Sequence, residues 1–538
     1  MERGSVAFVL HTHLPYCRKA GRWPHGEEWF HEAMLECYLP LVQAFRRLTR
    51  EIQGSLGVTI NVTPVLAEQL GDPLMNDHFR EYLGGRVERA AADAVRFEGQ
   101  PGLRGETARF HRVRYEETRR FYEDDLGGDV IGALRGLEAS GHLEIATCAA
   151  THGYLPLLDS PAAVRFQVQA GVASHERNFR RRPRSFWLPE CAYEPGLERY
   201  LAEAGIEVFF VETHLVTGGR ARGKALGGVL GPYPELSGSV VDPAELPPMD
   251  GSTFRAYHVG HSDVSVLARN ERSGKQVWSA SHGYPGDPAY REFHKKDDTS
   301  GLHYWRVTGE GVGLGEKQEY DRGAARDVLR GHASHFHGVL RSELDAYRDT
   351  SGEAGVVLAS YDTELFGHWW LEGVDWLEET IRELAADPEV RLVTAGDYVE
   401  NNPPRQSIDL PEGSWGAGGD HRTWLNPDTA WTWPQIHSRQ KRATALLAGT
   451  PTPASRQLAR ELLLLQSSDW QFLMTTGQAH DYAVERFSSH AGRFDRLADA
   501  MERGGPGLAG LVAELEDADN PFPALDPARY TEGPVVPA

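Results

Sequence analysis

The chain reads as an α/β protein built on a parallel sheet, closed or open. Three observations predict this. Short apolar runs recur as far as residue 402, helix-prone stretches separate them, and each run stops at polar or aromatic residues. A strand buried on both faces is continuously apolar, and parallel strands need long crossovers. Residues just past strand ends are where barrel enzymes build their active sites.

In order, residues 6–10 end at His11, Thr12 and His13, and residues 58–62 end near Thr63. Residues 143–146 lead to Thr151, His152 and Gly153, and residues 185–188 lead to Glu190. Residues 208–211 end at Glu212, residues 356–359 at Asp362, and residues 391–394 at Asp397. The charged, helix-prone stretch 77–140 interrupts the alternation and reads as a helical insertion. Residues 215–300 carry few helical signals and many Gly, Pro and Ser; a long loop region at 215–262, either functional or disordered, is expected. Asn401-Asn402-Pro403-Pro404 marks a boundary between a catalytic unit, 1–402, and a helical unit, 403–525. Helical periodicity covers 434–447, 454–465 and 469–490. The Pro-rich residues after Pro521, ending in a tail at 526–538, are expected to dock only loosely.

A formal charge of −21 disfavours nucleic acid and anionic membranes as partners. No signal peptide and no run of 18 apolar residues is evident, which predicts a cytoplasmic protein. Cys17, Cys37, Cys148 and Cys191 are scattered without Cys-x-x-Cys spacing and read as reduced thiols. The 13 Trp and 19 Tyr suit carbohydrate, whose ring C–H faces pack on flat aromatics, although most aromatics in any chain this size are core.

Glu190 and Asp362 stand at the ends of separate strands among aromatics, an arrangement that fits carboxylate-pair chemistry on a sugar. Each also has a bland reading. Glu190 could be a salt-bridged core residue, and Glu364 rivals Asp362 because strand alternation would put 362 and 364 on one side. His11 and His13 could hold sugar hydroxyls or support a nucleophile. With His152 and Asp362 they could instead bind zinc. Trp278, Trp415 and Trp424 are either exposed platforms or core caps.

At these residues the chain resembles glycoside hydrolase family 57, and within it the 1,4-α-glucan branching enzymes. The resemblance rests on Leu10-His11-Thr12-His13-Leu14-Pro15, the motif from Gly21 to Trp29, and Trp187-Leu188-Pro189-Glu190-Cys191-Ala192-Tyr193. It continues with Gln276-Val277-Trp278-Ser279, the motif from Tyr361 to Trp370, Gly413-Ser414-Trp415-Gly416, and Leu465-Gln466-Ser467-Ser468-Asp469-Trp470. It implies a seven-stranded incomplete (β/α) barrel, a helical insertion and a helical C-terminal domain that completes the cleft. It implies a retaining double displacement without metal or cofactor, with Glu190 as nucleophile and Asp362, not Glu364, as acid/base. His11, His13, Trp29, His152, Trp278, Trp369, Trp415, Trp424 and Asp469 fall at substrate-binding positions, and Tyr233 aligns with a cleft-covering loop tyrosine. The implied donor and acceptor are α-1,4-glucans, and the implied product is an α-1,6 branch. Arg269-Asn270 departs from the family's Arg-Asp. Rival functions are an α-amylase or 4-α-glucanotransferase, a metal-dependent sugar deacetylase or mannosidase-like enzyme, and a non-catalytic glucan binder.

Overall fold

A computed structural model describes residues 3–220, 245–278 and 283–531. Its main sheet uses β1 (Gly4–Thr12), β2 (Val58–Val62), β3 (Leu143–Cys148), β4 (Ser185–Trp187), β5 (Val208–Val211), β6 (Tyr257–Val259), β7 (Ser265–Ala268), β8 (Gly355–Asp362), β9 (Val390–Leu392) and β10 (Ser407–Ile408). Seven of these run parallel in the order β8-β1-β2-β3-β4-β5-β7 and form the staves of an incomplete barrel. β6 pairs antiparallel to β7 and carries β10 at its outer edge. The gap between β7 and β8 is spanned by Asn270 N–H donating to Leu358 O, 3.0 Å, and Val356 N–H to Phe254 O, 2.8 Å.

Every residue of β1 is buried, because its two faces belong to two apolar cores. Register pairs His11 with Asp362 on one side and with Asn61 on the other, so chemistry-bearing residues meet at one end of the sheet.

Two sequence expectations change here. The run at 391–394 is the short β9, which pairs with the start of β1 and is not a stave. The seventh stave is instead β7, only four residues long and hidden within the Gly/Ser-rich 215–300 stretch. A 30-residue helix, Arg322–Ser351, capped by the Asp321 side chain, makes the crossover from β7 to β8. The insertion is the helical pair Pro73–Arg96 and Arg104–Arg120.

The C-terminal helices are Thr432–Leu446, Pro453–Leu465, Asp469–Thr476, His480–Arg503 and Leu508–Ala518. The pattern expected as one helix over 469–490 is broken at Gly477, whose φ of 71° ends the first piece in a left-handed cap. These helices dock on the loop after β1. Arg486 donates to Tyr16 O, Arg18 donates to the Asp517 and Ala518 carbonyls, and Asn520 N–H donates to the Tyr16 hydroxyl.

Among the described residues after Pro521, which end at Thr531, the loose docking expected from sequence does not hold: Phe522, Leu525 and Tyr530 are buried. The Tyr530 ring meets Phe166 edge-on at 5.5 Å, and its hydroxyl donates to Gln440 O. Aromatic side chains, not the prolines around them, decide the docking. Tyr530→Ala is therefore expected to cost about 3–5 kcal/mol. A thermal melt unchanged from the parent would contradict this docking.

All four cysteines are buried free thiols. Among the described residues no helix is long and apolar enough to cross a membrane.

Candidate active site

Glu190 follows β4 in a single turn, Pro189–Cys191. Its φ of 61° and ψ of 22° are left-handed, a conformation that costs a non-glycine residue about 1 kcal/mol or more. The turn is held by Cys191 N–H on Leu188 O and by Trp415 N–H on Glu190 O. Both carboxylate oxygens accept strong bonds. Trp415 Nε1–H donates to Oε2 at 2.7 Å, and the Ser468 hydroxyl donates to Oε1 at 2.8 Å. Burial pushes this carboxyl up to about 7; the Trp415 and Ser468 bonds and His13 oppose that rise, and Asp469 adds to it.

Three imidazoles line the same end of the barrel. His11 Nδ1–H donates to Asn61 Oδ1 at 2.7 Å, and its ring stacks on Trp187 at 4.6 Å. His13 bonds Thr63 Oγ1 through Nδ1 and Asp469 through Nε2, at 2.9 and 3.0 Å. Burial alone would pull the His13 imidazole down. Asp469, with Glu190 and Glu364, overrides that and holds it above its ordinary value. His152 is 1 % exposed, and its Nδ1 lies 2.8 Å from Ser468 Oγ. Burial, then His13 and His11, drive its imidazole well below the usual range.

Asp362 is the last residue of β8 and is partly exposed. The alternation argument that set Glu364 beside it fails, because the chain turns into a 3-10 helix at Thr363–Leu365. The Glu364 carboxylate is taken up by the Tyr38 hydroxyl at 2.6 Å and by His13 N–H at 3.2 Å. Burial, followed by the Tyr38 bond and the charge of Asp362, sets the Glu364 carboxyl at about 7.

The grouping expected for a zinc site, His11 and His13 with His152 and Asp362, is not the one the structure brings together. Asp469, not Asp362, joins His13 and His152, with ligand atoms within 4.8 Å. Those two rings lie face to face, centroids 3.9 Å apart at 18°.

The tryptophans divide. Trp415 is tied to the nucleophile candidate. Trp278 is 8 % exposed at the end of helix Glu271–Trp278, and Trp369 is partly exposed against Phe293 at 4.1 Å. Trp29 is partly exposed beside His25 and Tyr482. Trp424 offers no open face: it is 0 % exposed and stacked on Tyr154 at 4.4 Å, so the core-cap reading describes it. Tyr233 lies outside the described residues. The departure at Asn270 has a local reason. Its amide donates to Glu343 at 3.0 Å while its Oδ1 accepts Ser273 N–H, starting the helix that carries Trp278; an Asp would face Glu343 with a second negative charge. Ser468 is not legible as a site residue, because nothing in sequence spacing says that a serine reaches a carboxylate 278 positions away.

A seven-stave barrel with Glu190 in the turn after β4 and Asp362 at the end of β8 fits the carboxylate-pair chemistry of a glycosyl hydrolase. The chain belongs to Glycosyl hydrolase family 57, whose sequence profile matches residues 7–411. Residues 436–530 match the profile described as 1,4-alpha-glucan branching enzyme, C-terminal. The chain is 43% identical over 545 residues to a 1,4-alpha-glucan branching enzyme of Thermococcus kodakarensis, covering 97% of this chain and 77% of that one. It is 33% identical to a probable 1,4-alpha-glucan branching enzyme of Mycobacterium tuberculosis, covering 98% of each. The crystal structure of the Thermococcus enzyme superposes with a TM-score of 0.90 at 40% identity, covering 99% of this chain and 97% of that one. An α-amylase from Thermotoga maritima superposes at 0.84 with 28% identity, covering 99% and 100%.

Proposed function

We propose that this protein is a 1,4-α-glucan branching enzyme working by retaining double displacement. Glu190 attacks the anomeric carbon of an α-1,4-linked glucose, and the bond to the departing 4-oxygen breaks as Asp362 protonates that oxygen. The glycosyl ester on Glu190 is then opened by a glucan 6-hydroxyl whose proton passes to Asp362, leaving an α-1,6 branch. Donor and acceptor are α-1,4-glucans, and the steps need no cofactor. His11, His13, Asp469 and the less buried tryptophans Trp29, Trp278 and Trp369 line the route of the chain. The proposal extends to a role in glycogen-type synthesis in the cytoplasm.

The observation that carries the reading is the doubly clamped Glu190. A carboxylate held by two donors in a strained turn is set up to attack in one orientation. The amylase-like alternative would use the same site with water as acceptor. Incubation with amylose separates them: α-1,6 linkages should accumulate faster than new reducing ends. Reducing ends without branches would overturn the reading.

A pH dependence follows from the burial of Glu190. The nucleophile acts only when ionised, so kcat/KM should fall as pH drops through about 7. An acid limb near 4–5, the range of a carboxylate in water, would show that burial does not govern this group.

A further inference from the structure

We propose that Ser468 is a positioning residue for the nucleophile: its hydroxyl, set by His152, holds Glu190 ionised and in its attacking orientation. The inference rests on Glu190 being the nucleophile and adds a residue from the helical domain to its support.

The hydrogen count fixes the direction of each bond. An ionised carboxylate only accepts, so the 2.8 Å contact to Glu190 Oε1 must use the Ser468 hydrogen. Serine has one hydrogen, so the second 2.8 Å contact must be a gift from His152 Nδ1–H. His152 is then the neutral tautomer with its proton on Nδ1, in keeping with a buried imidazole between two other histidines. The chain of donation runs His152 to Ser468 to Glu190. It has one polarity only while Glu190 is charged.

Backbone geometry places the hydroxyl. Ser468 N–H donates to His152 O at 3.0 Å, and Gly153 and Ser467 form an antiparallel bridge. The two residues that pass the hydrogen bond are therefore zipped together by their main chains, with His152 itself held at a φ of 57°. Ser468 is fully buried. Ser468 stands at the N-cap position of helix Asp469–Thr476, where a structural serine would accept a backbone N–H of the first turn; its side chain makes no such cap and reaches the carboxylate on the barrel instead.

The charges facing Glu190 make the donor matter. His13 from the end of β1 favours the ionised form, and Asp469 from the helical domain opposes it. His152 is neutral at 3.7 Å, and Asp362, like Glu190, is close enough to help raise the neighbouring Cys191 thiol. With burial already pushing the carboxyl up, the bonds from Trp415 and Ser468 are what hold the charge in place. Trp415 Nε1 can only donate; the Ser468 hydroxyl is a donor because His152 makes it one.

The test is the pH profile of kcat/KM on an α-maltosyl donor with a good leaving group. Ser468→Ala keeps the backbone N–H that bonds His152. Its acid limb should move up by about one pH unit, so that the loss at low pH is about tenfold and shrinks toward high pH. Ser468→Gly, smaller and with the same N–H, should shift the limb likewise. Ser468→Thr, which keeps the hydroxyl, should leave the limb where it is. Equal loss at every pH in the alanine and glycine variants, or no loss, overturns the proposal. Glu190→Gln is run in parallel. If it stays active, the nucleophile reading fails; if it is inactive while the serine variants keep the parent limb, only the role of Ser468 fails.

Discussion

Glu190→Gln should reduce glucan transfer by about 10⁴-fold or more, because an amide cannot form the glycosyl ester on which both half-reactions depend. The replacement fits the site. The amide oxygen can keep the Trp415 Nε1–H bond, and the amide nitrogen can donate to Ser468 Oγ. Loss of activity is therefore separable from loss of fold, and linkage gives the sign. The folded carboxyl sits near 7 against 4.5 when exposed, so the folded state holds its proton longer than the unfolded state does. The stability this gives is complete below about 4.5 and is lost as pH rises through 7, a cost of about 3 kcal/mol at pH 8. The glutamine variant should thus melt higher than the parent at pH 8 and close to it at pH 4. Glu190→Ala supplies the complement: it leaves room for azide, which should take an activated α-maltosyl donor to the β-glycosyl azide. Branching by Glu190→Gln at more than about a hundredth of the parent rate would remove Glu190 from the role.

How far the sequence shows this site depends on which force places each residue. Glu190 and Asp362 are legible because each ends an apolar run, and a buried parallel strand must deliver whatever follows it to one end of the sheet. β1 is legible for the same reason, and with it His11 and His13. β7 is not, because four residues bounded by Gly, Ser and Asp have the composition of a loop, and only pairing with β5 makes them a stave. The helical period over 469–490 runs straight through the break at Gly477, although a glycine in a helical pattern is a local signal for it. Trp424 shows the opposite limit: its sequence neighbours leave platform and core cap open, and only Tyr154, 270 positions away, stacked against its face decides for the cap. Ser468 and Asp469 arrive by docking of one unit on another, which leaves no period in either segment. The family resemblance placed Asp469 near the cleft, but only the structure shows its bond to His13 and the Ser468 bond to Glu190.

Asp362→Asn should be nearly as inactive on amylose, with a loss of about 10²–10⁴-fold, and should differ from the nucleophile variant in kind. A glucan leaving group departs as a poor alkoxide unless it is protonated, so the first step stalls without the acid. An α-maltosyl fluoride needs no proton to depart and should still load Glu190. The ester then waits, because no base draws the proton from a water or a sugar hydroxyl. Azide needs no base either, and should release the sugar as the α-glycosyl azide, with retained configuration, where the Glu190→Ala variant gives the β-anomer. Opposite anomers from two substitutions assign the two carboxylates without reference to any distance. The same experiment decides between Asp362 and its neighbour. Glu364 is occupied by the Tyr38 hydroxyl and His13 N–H, so Glu364→Gln should yield no azide-dependent product and should process amylose far better than Asp362→Asn. An α-azide from the Glu364 variant and none from the Asp362 variant would exchange their roles and make the end of β8 a spectator to proton transfer.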